Sequence, residues 1–304
     1  MSKGWALIIN PQSKSGATKK KMATVKRLLE FNKIHFLFFE TRNSGDELNI
    51  VEKAVKKGFR KIVCVGGDGT LQKIIAGIQR QKTCSPKEIV VGIIPLGTGN
   101  DWAKSIEIPL NIEKAIQKIK EGKTKKRDLG VVSIQNKKEI KKRYFVNYSG
   151  VGFDAFMLSR LQPYKWLGRY SYLACSLANF WFYKNRWVLV KGNDFSFSKN
   201  VFLCGVGVSR YTGGGMQIIK NPASDNGLLN LTVAYDFTKA DIIKNFFNLF
   251  NGAIFNDRKV LAMVDNKIKM SSKTGFLTCH GDGEIFGTGN LTFFVLKKQI
   301  THIC

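Results

Sequence analysis

The sequence predicts two domains in series: an α/β domain on a parallel sheet, then a β-sandwich-like domain. Three observations predict this. Short apolar runs alternate with amphipathic stretches over residues 1–120, the basic stretch EGKTKKRDLG (121–130) interrupts that rhythm, and strand-like runs separated by Gly and Asn/Asp turns fill the remainder. A chain of 304 residues, 44% apolar and 12% aromatic, is long and apolar enough to bury a core in each.

The first half reads in order. WALIIN (5–10) is a buried strand, followed by a polar loop and a basic helix from about Ala17 to Glu30. IHFLFFE (34–40) is the second strand. A helix follows from Ser44, where Ser44 and Glu47 have capping-box spacing ahead of Leu48, Val51 and Val55. KIVCV (61–65) and EIVVGIIP (88–95) are the third and fourth strands. Uninterrupted apolar strands alternating with helices imply a parallel sheet covered on both faces.

The stretch 121–130 is the most linker-like in the chain: residues 118–143 hold eleven Lys or Arg against three acids. Beyond it, DLGVVSI, YFVNYSGVGF, RWVLVKG, NVFLCGVGV, LLNLTVAYDF, KIKMSS and LTFFVLKK read as strands of a sandwich-like domain. Helical interruptions run from about Pro163 to Lys184 and from about Lys239 to Phe250.

Charge narrows the partners. Lys and Arg number 49 against 22 Asp and Glu, a net +27, so the surface calls for an anionic partner: nucleic acid, an acidic membrane or a phosphate-rich ligand. The basic tract 118–143 lacks the aromatic interleaving of a nucleic-acid site, and no DNA- or RNA-binding motif accompanies it. Six cysteines show no CxxC spacing and no zinc-like cluster with the three histidines, which fits a reduced, cytoplasmic chain. No signal-peptide pattern opens the sequence, and no apolar run reaches the ~18 residues of a membrane span. The stretch YKWLGRYSYLACSLANFWFYKNRW (164–187) mixes Trp166, Trp181 and Trp187 with Lys165, Arg169, Lys184 and Arg186. It reads either as a helix in the headgroup region of a membrane or as an ordinary cover of the second domain.

Three unusual loops follow three strands of the first half: NPQSKSG (10–16), GGDGT (66–70) and PLGTGND (95–101). In an open parallel sheet, loops at the carboxyl ends of strands share one edge. Glycines, small hydroxyls and exposed N–H groups there suit phosphate oxygens. Neither a Walker A loop nor a clean G-x-G-x-x-G is present, so a P-loop enzyme and a dinucleotide dehydrogenase are both disfavoured. Asp68, between glycines at a helix start, suits Mg2+ on nucleotide phosphates or polarisation of a hydroxyl; the alternative is a cap on the helix beginning near Thr70. A cap needs no flanking glycines, which favours chemistry. Far downstream, CHGDGEIFG (279–287) again places carboxylates on flexible backbone; taken alone, its D-G pair is a hairpin turn.

Together these motifs resemble the diacylglycerol kinase catalytic family of soluble lipid kinases, which includes sphingosine and ceramide kinases. The resemblance runs through NPQSKSG, GGDGT, PLGTGNDWAK, NYSGVGFDA (147–155), GGGMQIIKNPASDNGLL (213–229) and HGDGE (280–284), and is strongest to bacterial members. It implies an NAD kinase/diacylglycerol kinase-like nucleotide-binding domain over 1–125, with a return of the chain at about 286–304, and a lipid kinase domain over 126–285. It implies that Asn10, Lys14, Ser15, Gly16, Thr41, Gly66, Gly67, Asp68, Gly69, Thr70 and Thr98 surround ATP and its Mg2+, with Asp68 on the metal and phosphate network. Glu284 is implied as the general base on the lipid hydroxyl, with His280 beside it a tuning or structural residue. Asp225 and Asn226 fall where the family holds a structural Mg2+, and Asn226 replaces an Asp, which predicts weaker metal binding.

Gln72 and Lys73 stand where the family carries Asn and Glu. The function implied is ATP- and Mg2+-dependent phosphorylation of a hydroxyl of diacylglycerol or a related lipid alcohol. The partners implied are a lipid substrate and an anionic membrane surface, at the cytoplasmic face, with a homodimer as a further expectation and no nucleic acid. Two alternatives stand beside it. One is a non-catalytic lipid- or membrane-binding module, motivated by Lys73 and Asn226. The other is an NAD kinase, which calls for an Asn-Glu pair that the sequence lacks.

Overall fold

Five consecutive apolar residues form the first strand, β1 (Trp5–Ile9), and all five are buried, as expected of a strand covered on both faces. The computed structural model describes residues 3–11, 17–43 and 45–304. The chain divides into two units, Met1–Arg127 with Lys298–Cys304, and Asp128–Lys297.

In the first unit β1 is followed by α1 (Ala17–Phe31), β2 (Phe36–Glu40), α2 (Asp46–Lys56), β3 (Lys61–Gly66), α3 (Asp68–Arg80), β4 (Val90–Pro95), α4 (Asp101–Ser105) and α5 (Ile112–Glu121). Strand β1 pairs in parallel with β2 and with β3, and β3 in parallel with β4. Local chemistry sets the helix ends. Helix α2 carries Asp46 and Glu47 in its first turn and Lys53 and Lys56 in its last, complementing its dipole. Ser44 of the expected capping box lies outside the described residues, and Glu47 accepts from the Gly45 amide at 3.0 Å. Helix α5 is capped by Asn111, which accepts from the Lys114 amide, and closed by Gly122 at φ 69°.

The second unit is mostly antiparallel. It contains β5 (Thr124–Gln135, which starts in the first unit), β6 (Ile140–Phe145), β7 (Tyr148–Gly152), α6 (Phe153–Ser159), α7 (Ser171–Asn179), β8 (Arg186–Lys191), β9 (Ser196–Gly207) and β10 (Leu229–Tyr235). After these come α8 (Lys239–Asn245), α9 (Asn248–Asn251), β11 (Val260–Asp265), β12 (Lys267–Ser271), β13 (Leu277–Gly281) and β14 (Glu284–Ile303). The early half of β9 pairs with β8 and the late half with β7. Strand β14 likewise pairs first with β13 and then with β12. With β8 on β12 and β7 on β13, the pairings close the ring β7–β9–β8–β12–β14–β13. Inward residues fill it, among them Val188, Val201, Cys204, Met270, Leu277 and Phe293.

Several expectations change. The stretch 121–130 is no linker: from Thr124 it is β5, whose basic start is exposed and whose second half is buried. Charged side chains at the exposed end of a strand do not break it. The return strand also divides elsewhere. Residues 286–297 of β14 stay with the second unit, and only Lys298–Cys304 joins the first, where Thr301 and His302 pair in parallel with Val90 and Val91 of β4. The helical interruption at 163–184 is α7 between two 3-10 segments, Gln162–Tyr170 and Phe180–Phe182.

Candidate active site

The carboxyl ends of β3 and β4 bring two of the glycine-rich loops together. Gly66 lies opposite Pro95 in register, and the Leu96 amide donates to the Gly66 carbonyl at 2.9 Å. One residue further on, backbone meets backbone. A Cβ on Gly67 would stand 2.8 Å from the Gly97 Cα, and one on Gly97 would stand 2.6 Å from Asn100 Oδ1. Only glycine fits at either position.

Asp68 fastens this contact. Its two carboxylate oxygens accept from the backbone amides of Asp101 and Trp102, at 3.0 and 2.9 Å, which are the first amides of α4. The carboxylate therefore caps a neighbouring helix, neither of the two roles weighed from sequence. Asn100, in left-handed conformation at φ 51°, donates through Nδ2 to the Gly97 carbonyl at 3.0 Å. Among the described residues its Oδ1 is buried without a partner.

The remaining predicted residues of this unit divide three ways. Asn10 directly follows β1, and Thr41 directly follows β2, its amide donating to the Ile9 carbonyl at 2.9 Å, so both stand at the same sheet edge. Gly69 and Thr70 form the first turn of α3, and Thr98 is exposed on the loop after β4. Lys14, Ser15 and Gly16 lie outside the described residues. Gln72 is buried on α3 and Lys73 half-buried beside it. Under this edge, burial raises the Cys64 thiol well above its ordinary range, and the nearby carboxylates of Asp68 and Glu47 push it the same way.

In the second unit the HGDGE segment is the tight turn between β13 and β14. Asp282 and Gly283 both have positive φ, 48° and 84°, as a two-residue type I′ hairpin requires. The Asp282 carboxylate accepts from three successive amides, Val146 at 2.6 Å, Asn147 at 3.0 Å and Tyr148 at 3.2 Å, and its own amide donates to the Tyr148 carbonyl. The turn is thus clamped to the start of β7, and Glu284, first residue of β14, is held exposed beyond it. His280 points the other way, into the protein. It is 5% exposed, and its Nε2 lies 2.7 Å from a carboxylate oxygen of Asp154, itself 9% exposed on the first turn of α6.

Sequence reasoning quoted Asp154 inside a motif without a task and read the Asp282-Gly283 pair, taken alone, as a hairpin turn, but named no partner for either acid. Their partners are 126 and up to 136 residues away, and the only available signal was that each is an acid inside a glycine-rich, apolar run.

The loop expected to hold a structural Mg2+ is closed by hydrogen bonds of Asn226 and Asp128. The Asn226 side-chain oxygen accepts from the Leu228 amide at 2.9 Å, closing a local turn. Asp128, 2% exposed, accepts from the Gly227 amide at 2.7 Å and donates its own amide to Ser224. Among the described residues no group of three His, Cys, Asp or Glu is placed to hold a metal ion.

Residues 4–132 match the model of the diacylglycerol kinase catalytic domain, and residues 147–303 match the YegS C-terminal NAD kinase beta sandwich-like domain. The chain belongs to the diacylglycerol kinase family of lipid kinases. This lipid kinase is 30% identical, over 80% of its length and 76% of the relative's, to a probable lipid kinase YegS-like from Serratia proteamaculans (strain 568). A diacylglycerol kinase from Staphylococcus carnosus (strain TM300) is 24% identical over 99% of this chain and 94% of its own. The fold is shared with a diacylglycerol kinase from Bacillus anthracis str. Sterne, at TM-score 0.74 and 20% identity, covering 99% of this kinase and 96% of that chain.

Proposed function

We propose that this lipid kinase uses ATP and Mg2+ and transfers the γ-phosphate to a hydroxyl of diacylglycerol or a related lipid alcohol. The observation that carries the reading is the clasp of Gly67 on Gly97 by Asp68. It sets bare backbone beside the first-turn amides of α3, a helix of 13 residues whose first amides have no intrahelical partner, at the edge where parallel sheets bind ligands. Phosphate oxygens are held by such amides. Asn10, Thr41, Thr70 and Thr98 supply polar groups around them, with Lys14, Ser15 and Gly16 completing the expected set.

Mg2+ on a nucleotide needs one or two carboxylates, the rest of its shell coming from phosphates and water. Asp68 fits that demand, because each of its oxygens accepts one amide and keeps a further lone pair. When bound, the ion neutralises charge on the phosphates during transfer. The chain's own residues then position and deprotonate the acceptor. Glu284 takes the proton of the lipid hydroxyl as its oxygen bonds to the γ-phosphorus and the bond from that phosphorus to the β–γ bridging oxygen breaks, releasing ADP, while the Asp282 clamp fixes the turn that carries Glu284.

The second unit also holds a cavity of about 380 Å3 lined by Val151, Ala155, Phe156, Phe182, Val188 and Leu277, with Lys184 and Arg186 at its wall. An apolar slot with cations suits an acyl chain below a headgroup. Among the described residues no helix is long and apolar enough to cross a membrane. The proposal therefore has the protein peripheral on an anionic, cytoplasmic membrane face, with light scattering to read whether it is a homodimer.

The test is a screen of lipid alcohols in mixed micelles with labelled Mg-ATP. Turnover is expected on at least one, and Glu284→Gln is expected to abolish it. Tight lipid or ATP binding without turnover on any of them would make the protein a non-catalytic module. Phosphorylation of NAD would replace the lipid assignment.

A further inference from the structure

Residues 239–251 are apolar on two faces. Phe246 and Phe247, which join α8 to α9, keep right-handed helical angles, so one helical spacing runs through the stretch. Inward, Ile242 and Leu249 pack on a small core that includes Tyr183, Phe202, Phe237 and Ile254, and Asn245 is buried against Asp257. Outward stand Ile243, Phe246, Phe247 and Phe250, at spacing i, i+3, i+4 and i+7, exposed by 63%, 44%, 76% and 43%. A helix with apolar stripes on opposite faces needs cover on both.

The same core carries a second exposed run, Trp181 and Phe182, with Trp187 following at the start of β8. Lys239 joins the two runs. Its ammonium donates to the carbonyls of Phe180 and Tyr183 and lies 4.5 Å from the centre of the Phe180 ring. Asn185 donates to the Phe237 carbonyl at 3.1 Å, a second tie.

Charge bordering the aromatic side chains is mostly basic. Residues 155–193 contain no Asp or Glu, and the exposed cations Lys184, Arg186 and Lys244 border the aromatic side chains. The single acid within 239–251, Asp241, accepts from the Thr238 amide and is paired with Lys259.

We propose that the outer face of 239–251, with Trp181, Phe182 and Trp187, seats the second unit in the interface of an anionic bilayer. The aromatic side chains enter the headgroup boundary, and Lys184, Arg186 and Lys244 meet lipid phosphates. A second copy of the chain fits less well, since a two-fold contact through this face would bring two cationic rims together. The inference rests on the lipid-kinase reading, which requires the protein to reach a bilayer, but its test needs no turnover.

The test compares wild type with the double variant Phe246→Ser, Phe247→Ser in sedimentation with vesicles of phosphatidylcholine alone and of phosphatidylcholine with phosphatidylglycerol. Wild type is expected on the anionic vesicles, with its tryptophans quenched by brominated lipid, and the double variant is expected to bind at least about tenfold more weakly. Both side chains point outward, so the melting curve and phosphorylation of a dispersed short-chain lipid alcohol are expected to persist. If the double variant melts early, Lys244→Glu replaces it, with an expected loss of about fivefold or more.

Undiminished binding by the variants, or no binding of wild type to the anionic vesicles, overturns the docking surface and leaves the kinase reading standing. A dimer that the double variant dissociates, with vesicle binding intact, assigns the face to a second copy and also overturns it. Vesicle binding that falls as expected, with no lipid alcohol phosphorylated by wild type, supports the surface and removes the kinase reading.

Discussion

Asp68 illustrates how a residue can be found by sequence while the contacts it makes are not. Its glycine setting marked it as functional. The amides it binds belong to residues 33 and 34 positions later, and nothing local announces that pairing. Replacing Asp68 by Asn turns one acceptor into a donor that faces an N–H. One amide of α4 then loses its partner, a cost of about 1–3 kcal/mol. Asp68→Asn is therefore expected to lower the urea midpoint of unfolding and to weaken ATP binding even without Mg2+. Wild-type stability with a loss confined to Mg2+-dependent turnover would show that the clasp is dispensable. The Asp154–His280 pair escaped for the same reason as the α4 amides: each member was legible inside its motif, but the contact exists only once β13 pairs with β7.

At the scale of elements, β1, β3 and β4 were legible because each is a short run of mostly buried residues with no competing signal, and β2, of which only Phe39 is buried, by its apolar sequence alone. Strand β5 was not, because its first five residues are all charged or polar, the first three of them exposed, and composition alone reads such a run as a connection. Helix α6 was missed because the Gly-Val-Gly-Phe of its approach looks like strand. The end of β14 carries a consequence for pH. His302 is 3% exposed, its Nδ1–H donates to the Ile303 carbonyl at 2.7 Å, and its ring meets the edge of Trp102. Burial, reinforced by Arg127 and Lys125, holds its pKa down to about 4, below the ordinary 6.5. Between those values the unfolded chain binds a proton that the folded one refuses. Stability is thus full above pH ~6.5 and falls as pH drops toward 4, by about 3 kcal/mol from this group. His302→Gln is expected to flatten the wild-type slope across that window in chemical denaturation at stepped pH. An unchanged slope would place the titration elsewhere.

For the whole molecule, the excess of cations dominates. Subtracting 22 acids from 49 Lys and Arg leaves +27, so even complete pairing of every carboxylate leaves most of the basic groups facing like charge. Ion pairs such as Lys56 with Glu52 and Lys26 with Glu30 are solvent-exposed and contribute little at any ionic strength. Self-repulsion therefore acts on the compact state more than local attraction relieves it. Raising salt from about 0.01 M to about 0.1 M shortens the screening length from ~30 Å to ~10 Å, which removes repulsion between distant cations first. The apparent melting temperature is accordingly expected to rise by a few degrees over that range, in the absence of any ligand. The same salt should weaken attachment to anionic vesicles, because counter-charge on the bilayer is screened too. Opposite responses to one variable separate the two effects: stability climbs while membrane binding falls. A melting temperature that drops with salt would mean that the carboxylates hold more of the structure together than their number suggests, and the exposed pairs would then be the first to delete.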